Sequence, residues 1–407
     1  MKQSILSIDQ DKLTALGINQ RLSNINISII KEMMYLAQKE MEKGREIISL
    51  GVGIPFYKMP SYIREGVIKA LQSDPTIDKY TFFPGMPKLR KLIAQKDTKR
   101  LGFEVNKDNI LVTAGSMGAL LYASLALVQN PEDEIILPSP YFSSYAEQIK
   151  LAGGTPREVP MIEPQNSEES YQLDIEGIKR TITKNTKAII INSPHNPTGA
   201  IFAKEDLMKL AEVIKVSGIY LITDEVYDYL IYDADEYFNI ASIKDLWPRV
   251  IRCCSFSKKY GMTGWRIGYI DTNPDLARQL FKIHDNAIVC ASHIAQEAVY
   301  IALSSESEEI VKNVGALKKN RDLTCKKLDE LAHIFSYSKP RGAYYVFPRY
   351  KSNLSSVDFS LKVLKECGVI VVPGIGFGQA GENHIRISFG GEYGEIETAF
   401  SYLSKLE

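Results

Sequence analysis

The sequence predicts an α/β protein, with a mostly parallel sheet in a large domain and a smaller α+β domain behind it. Three observations lead there. Short β-rich runs alternate with longer helical ones from Ile47 onward. Beyond about residue 300 this pattern gives way to a charged helical stretch and then to shorter strand-like runs. Polar clusters follow four of the apolar runs directly.

The elements follow in order. Residues 29–43 mix apolar and charged positions at helical spacing and read as a helix after an N-terminal loop. The candidate strands of the large domain are 110–113, 134–137, 188–191, 219–223, 250–254 and 267–270, with helical segments such as 117–128 and 204–216 between them. Short apolar strands alternating with helices point to a parallel sheet covered on both faces. The runs 343–347, 369–372 and 384–388 read as strands of the second domain. The expected division is 1–48 as an N-terminal arm and part of the small domain, 49–295 as the large domain and 296–407 as the small C-terminal domain.

Composition narrows the function. The chain has 407 residues, 45% hydrophobic and 24% charged, an ordinary globular profile. Forty-nine basic residues balance 49 acidic ones, so there is no electrostatic footprint for nucleic acid or an acidic membrane. The five cysteines show no C-x-x-C pair or Cys/His ligand spacing, which argues against a disulfide framework or a metal site. The first 20 residues carry no signal-peptide core, and nowhere do 18 apolar residues run together. A cytoplasmic protein is expected.

Ligands of open α/β sheets bind beyond the carboxyl ends of the strands, where the four polar clusters fall. They are Thr113-Ala-Gly-Ser116, Asn192-Ser-Pro-His-Asn-Pro-Thr-Gly199, Asp224-Glu-Val-Tyr227 and Ser255-Phe-Ser-Lys258. Ser116 can cap a helix starting at Met117, whose free N–H groups form an anion site. Ser255 and Arg266 add a hydroxyl and a fixed cation suited to a phosphate. Among cations Lys258 has reason to lose its proton and act as an amine nucleophile. Asp224 could pair with a protonated pyridine nitrogen, and Tyr227 and Asn196 could hydrogen-bond a phenolate oxygen. Together these describe a pyridoxal 5'-phosphate site, in which the protein tunes the ring as an electron sink.

The segment Ser255-Phe-Ser-Lys-Lys-Tyr-Gly-Met-Thr-Gly-Trp-Arg-Ile-Gly268 resembles the lysine segment of the class I/II aminotransferases, which have the type I fold of pyridoxal-phosphate transferases. The resemblance implies that Lys258 is the Schiff-base lysine and that Ser255 and Arg266 bind phosphate. It matches Asn196 of Asn-Pro-Thr-Gly, and Asp224 and Tyr227 of Asp-x-x-Tyr, to cofactor contacts. Leu50-Gly-Val-Gly-Ile-Pro55 is similar to the family's N-terminal substrate loop, which implies a substrate contact at Gly53. The stretch from Tyr80 to Arg90 resembles the segment whose tyrosine reaches the neighbouring subunit's phosphate, so a homodimer with shared sites is implied. Phe142 of Pro140-Tyr-Phe142 fits the ring that stacks on the cofactor. In His384-Ile-Arg-Ile-Ser-Phe389, Arg386 matches the arginine that binds the substrate α-carboxylate. The implied activity is transfer of an amino group from an L-amino acid, aspartate or aromatic, to a 2-oxo acid such as 2-oxoglutarate, by a ping-pong mechanism.

Each motif alone has a plainer reading. Lys258 and Lys259 form a solvated basic pair, Asn-Pro-Thr-Gly is turn chemistry, Asp224-Glu225 is surface charge, and Arg386 is the solvent side of a strand. Their joint occurrence in this order overturns those readings. His195 either tunes Asp224 or fills its loop, and the other histidines, at 284, 293, 333 and 384, have core or surface roles. Cys253 and Cys254, adjacent in a strand, face opposite ways as small core residues. Tyr344 and Tyr345 are core or favour aromatic substrates. Two rival functions share the motifs: a β-elimination lyase or cyclase on the same fold, and a non-catalytic regulatory homologue. The regulator is disfavoured because only about 45 residues precede Leu50, too few for a DNA-binding domain.

Overall fold

All six apolar runs expected in the large domain pair edge to edge in one sheet. The computed structural model describes residues 17, 19–233, 237–305 and 307–406. After a short strand β1 (Ile48–Ser49), the large sheet comprises β2 (Ile110–Thr113), β3 (Glu134–Ser139), β4 (Thr155–Pro160), β5 (Thr186–Asn192), β6 (Tyr220–Asp224), β7 (Val250–Ser255) and β8 (Gly268–Thr272). The strand order is β2-β8-β7-β6-β5-β3-β4. Strand β8 runs antiparallel to both neighbours and every other pairing is parallel. The strand that sequence reading missed is β4, where Thr155-Pro-Arg-Glu-Val-Pro160 buries only Val159. It is an edge strand, and charge on an edge guards against pairing with another chain.

Alternation along the strands feeds two cores. Val112, Ile136, Ile189, Ile191, Leu221 and Cys254 face one side, against apolar residues of helices Ser61–Ser73, Pro87–Leu101, Lys204–Ser217 and His293–Ser304. Leu111, Ile135, Leu137, Ile190, Ile222 and Cys253 face the other, against helices Gly115–Leu127, Ser144–Ala152 and Pro274–Ile288. The two adjacent cysteines thus sit in opposite cores. Local chemistry sets the helix ends. Pro87 begins one helix and Gly102 closes it in the left-handed conformation at φ +77°. Asn273 caps another by accepting from Leu276 N at 3.0 Å, ahead of Pro274.

The C-terminal third builds its own core around β9 (Phe335–Ser336), β10 (Tyr345–Val346), β11 (Arg349–Tyr350), β12 (Val369–Ile370), β13 (Val372–Pro373) and β14 (Ile385–Ser388). Strand β14 lies between β10 and β13, antiparallel to each. The run expected as one strand at 369–372 is two, because β12 pairs in parallel with β1 while β13 pairs with β14. The N-terminal helix Ile29–Glu42 packs Met33 and Ala37 on Leu364 and Ile370. Most of the loop expected ahead of it lies outside the described residues. Among those described, no helix is long and apolar enough to cross a membrane.

Candidate active site

Strands β2, β5, β6 and β7 point the same way, so the four polar clusters meet at one edge of the sheet. Asn192, at the end of β5, ties two of them together. Its Nδ2 donates to the Asp224 carbonyl at 2.8 Å, and its Oδ1 accepts from the Asn196 backbone N–H at 2.8 Å.

Asp224 ends β6 and is buried, as is Glu225, so neither is surface charge. The Tyr145 hydroxyl donates to Asp224 Oδ2 at 2.6 Å, while Oδ1 is buried without a partner. Burial pushes this carboxyl up to about 7, against the pull of the hydrogen bonds from Tyr145 and from the Val226 backbone. An acceptor held in this way suits a protonated ring nitrogen. Glu225 turns the other way, to Arg252, whose Nε and Nη2 donate to it at 3.0 and 2.8 Å.

Lys258 lies on the connection between β7 and β8, half-buried, with Nζ donating to the Gly53 carbonyl. Burial first, then Arg386 and Arg266, lower its pKa to about 8, so part of it is neutral amine near neutral pH. Arg266 holds a left-handed backbone at φ +52°, which costs an ordinary residue about 1–2 kcal/mol. Its guanidinium lies over Gly115, where an added Cβ would come within 2.7 Å of Nη2. A Cβ on Gly268 would meet Ser116 N at 2.9 Å and the Cys254 carbonyl at 2.5 Å. Both glycines therefore keep open a cradle between Arg266 and the start of helix Gly115–Leu127. That helix starts before Ser116 and has no side-chain cap. The capping role expected of Ser116 is thus corrected: Gly115, at φ +75°, makes the turn, and Ser116 and Met117 lie in the first turn, where backbone N–H groups lack helical partners. Ser255 faces the same end from β7, its Oγ accepting from Ser257 N at 3.2 Å. Phosphate is the anion such a set suits.

Arg386 is central to β14 and only 1% exposed, so it is not on the solvent side of its strand. Nη1 donates to Asn196 Oδ1 at 3.1 Å and Nη2 to the Gly51 carbonyl at 2.7 Å, while Nε has no partner. The guanidinium lies over Tyr345 at 4.4 Å and Phe377 at 5.0 Å from the ring centroids. Among the described residues no carboxylate forms an ion pair with it. A buried cation left in this way is suited to a carboxylate from outside the chain. Tyr227 is buried beside it, its hydroxyl 2.9 Å from that of Tyr345. Gly53 is pressed against Tyr345, whose hydroxyl would be 2.3 Å from an added Cβ.

The remaining residues take different places. Phe142 is half-buried, edge-on to Tyr145 with centroids 5.5 Å apart. Tyr80 is 78% exposed, outside its own chain's cluster. His195 fills its loop: it bonds Thr198 Oγ1 at 2.8 Å, and burial lowers it to about 3, so it is neutral. The partner of Asp224 is Tyr145, which sequence reading missed. Its only signal was a tyrosine three residues beyond Phe142 in a helix facing β6.

The profile of aminotransferase class I and II matches residues 45–403. The chain is 36% identical over 396 residues to aromatic-amino-acid aminotransferase 2 of Thermococcus litoralis, covering 96% of this chain and 98% of that protein. It is 35% identical over 395 residues to a probable aspartate aminotransferase of Methanocaldococcus jannaschii, covering 96% and 99%. Among solved structures, an aspartate aminotransferase from Thermotoga maritima superposes with a TM-score of 0.87 at 32% identity, over 95% of this chain and 99% of that one. An aromatic aminotransferase from Pyrococcus horikoshii gives 0.84 at 35% identity, over 91% and 98%.

Proposed function

Because the chain belongs to the class I and II aminotransferases, we propose that it is a pyridoxal 5'-phosphate enzyme transferring an amino group from aspartate or an aromatic L-amino acid to a 2-oxo acid such as 2-oxoglutarate. One observation carries the reading. Two carbonyls of a single loop, Gly51 and Gly53, accept from Arg386 and Lys258, so a carboxylate reader and an amine nucleophile stand side by side.

The residues fit the cofactor. Ser116 and Met117 at the helix start, with Ser255 and Arg266, hold its phosphate. Asp224 would offer Oδ1 to the ring nitrogen, Phe142 would stack on the ring, and Asn196 and Tyr227 would meet the ring oxygen. When bound, the cofactor supplies a conjugated electron sink. When the cofactor is bound, Lys258 would be its anchor and, as a free amine, would serve as the general base for the substrate's α-proton. Arg386 would fork onto the α-carboxylate, with Gly53, whose missing Cβ makes room for the Tyr345 hydroxyl, beside it.

The Tyr80, Phe82 and Phe83 side chains, all exposed on one loop, support a homodimer in which Tyr80 completes the partner's phosphate site. The proposed domains are 1–48 with the small domain, 49–295, and 296–407, with helix His293–Ser304 spanning the second boundary. A cytoplasmic location goes with this reading. The test is product identity across a panel of amino acids. Equimolar 2-oxo acid and glutamate support transamination; ammonia and pyruvate without glutamate would replace it with β-elimination.

A further inference from the structure

His384 stands two residues before Arg386, at the start of β14, on the same face of the strand. It is 1% exposed, and both ring nitrogens have partners. Nδ1 is 3.0 Å from the Glu382 carbonyl, and Nε2 is 2.9 Å from Glu163 Oε1. A carbonyl and a carboxylate only accept, so an imidazole can satisfy one of them and only an imidazolium can satisfy both.

The surroundings are built for that cation. Glu163 lies on the connector after β4, at the edge of the large sheet, and also accepts from Arg349 Nε at 3.0 Å and Nη2 at 2.5 Å. Burial would raise the Glu163 carboxyl, but hydrogen bonds from His384 and Arg349 hold it down at about 2. The connector also brings Tyr171, whose hydroxyl is 3.4 Å from Nε2. Glu382 contributes only its carbonyl, since its carboxylate accepts from Ser356 N and Oγ at 2.6 and 2.9 Å. The groups facing the ring are therefore one carboxylate, one guanidinium and one phenol.

A packed path leads from this ring to the carboxylate reader. His384 stacks on Phe347 with centroids 4.9 Å apart and planes within 2°. Phe347 meets Phe377 edge-on at 5.7 Å, and Phe377 lies beneath the Arg386 guanidinium. Arg386 itself is held by only two hydrogen bonds, so its placement follows the strand and that ring.

We propose that Glu163, His384 and Arg349 are positioning residues that clamp β14 to the edge of the large sheet, so that the His384 ring, through Phe347 and Phe377, sets Arg386 for substrate carboxylate. This rests on the aminotransferase reading of Arg386.

The test uses holoenzyme and carboxylates without an amine, succinate and 3-phenylpropanoate, so that ionisation of a substrate amine does not intervene. Affinity is read from the perturbation of the bound cofactor's absorbance at one fixed pH. The comparison is wild type against His384→Gln and Glu163→Gln. The variants are expected to bind about fivefold more weakly, the small end of couplings between sites. The loss should appear in KM rather than kcat. Circular dichroism identifies a variant that fails to fold, and the other then carries the test. Folded variants that bind both carboxylates as tightly as wild type overturn the clamp. Absence of transamination by wild type overturns the functional reading instead.

Discussion

Tyr145→Phe removes one hydroxyl, and its effect should depend on pH in a way that packing loss would not. Burial holds Asp224 at about 7 in the fold against an ordinary 3.8, even with the Tyr145 hydroxyl donating to it. Folded protein therefore binds the Asp224 proton more tightly than unfolded protein does. The sign follows: stability from this group is greatest at low pH and is lost as pH rises from 3.8 to about 7. At roughly 1.4 kcal/mol per pH unit, that loss is about 4 kcal/mol. A hydrogen bond to a charged group is worth about 1.5–3 kcal/mol. The protonated carboxyl keeps about 1 kcal/mol of it, so without the hydroxyl the Asp224 value moves up by about 0.5–1.5 pH units, and the decline continues to about pH 7.5–8.5. Urea unfolding of cofactor-free protein checks this. Tyr145→Phe should cost about 1 kcal/mol at about pH 6, where the carboxyl is protonated, and about 1.5–3 kcal/mol at about pH 9. An equal cost at both would refute the claim that Tyr145 holds the ionised carboxylate.

Lys258→Ala should retain the fold and lose at least about 10⁴-fold in turnover, the upper range for a general base alone; steady-state assays showing undiminished transamination would reject the central assignment. Arg386→Lys keeps the charge but loses the fork. It should raise KM for every amino acid by a similar factor, about ten- to a hundredfold for 1.5–3 kcal/mol, and a loss confined to one side-chain class would show that Arg386 reads something else. For shared sites, mixing Lys258→Ala subunits with Tyr80→Phe subunits should restore activity in hybrid dimers, measured after their isolation, because one site then joins Lys258 and Arg386 of one chain to Tyr80 of the other. No recovery in isolated hybrids would make each site the property of one chain.

Sequence carried most of the sheet because its strands are apolar on both faces, as buried parallel strands must be. Strand β4 escaped because an edge strand buries one side chain and is stabilised by backbone pairing with β3 that leaves no apolar run. At the site, Lys258, Asp224 and Asn196 stood out because each sits in a compact motif after a strand, and Arg386 because of the motif around it within β14. Tyr145 was not. Its role depends on helix Ser144–Ala152 packing over the sheet to bring a phenol to β6, a contact 79 residues apart in sequence. His384 was read as an ordinary core or surface histidine, because its partner Glu163 is 221 residues away and no spacing rule links them.

The pairing of β1 with β12 has a consequence for how the enzyme is made. Leu50 N donates to the Ile370 carbonyl and Leu50 O accepts from Ser388 N, so the loop through Gly53 is clasped by strands made after the whole large sheet. All seven strands of the large sheet are complete by Thr272. At ~5–20 residues per second, some tens of seconds separate the synthesis of Gly53 from that of Arg386. A nascent chain can therefore assemble its central sheet, cradle included, well before it has any grip on an amino acid. Ribosome-bound chains ending before β12 should resist protease across that sheet yet leave helix Ile29–Glu42, which packs on Leu364 and Ile370, open to cleavage.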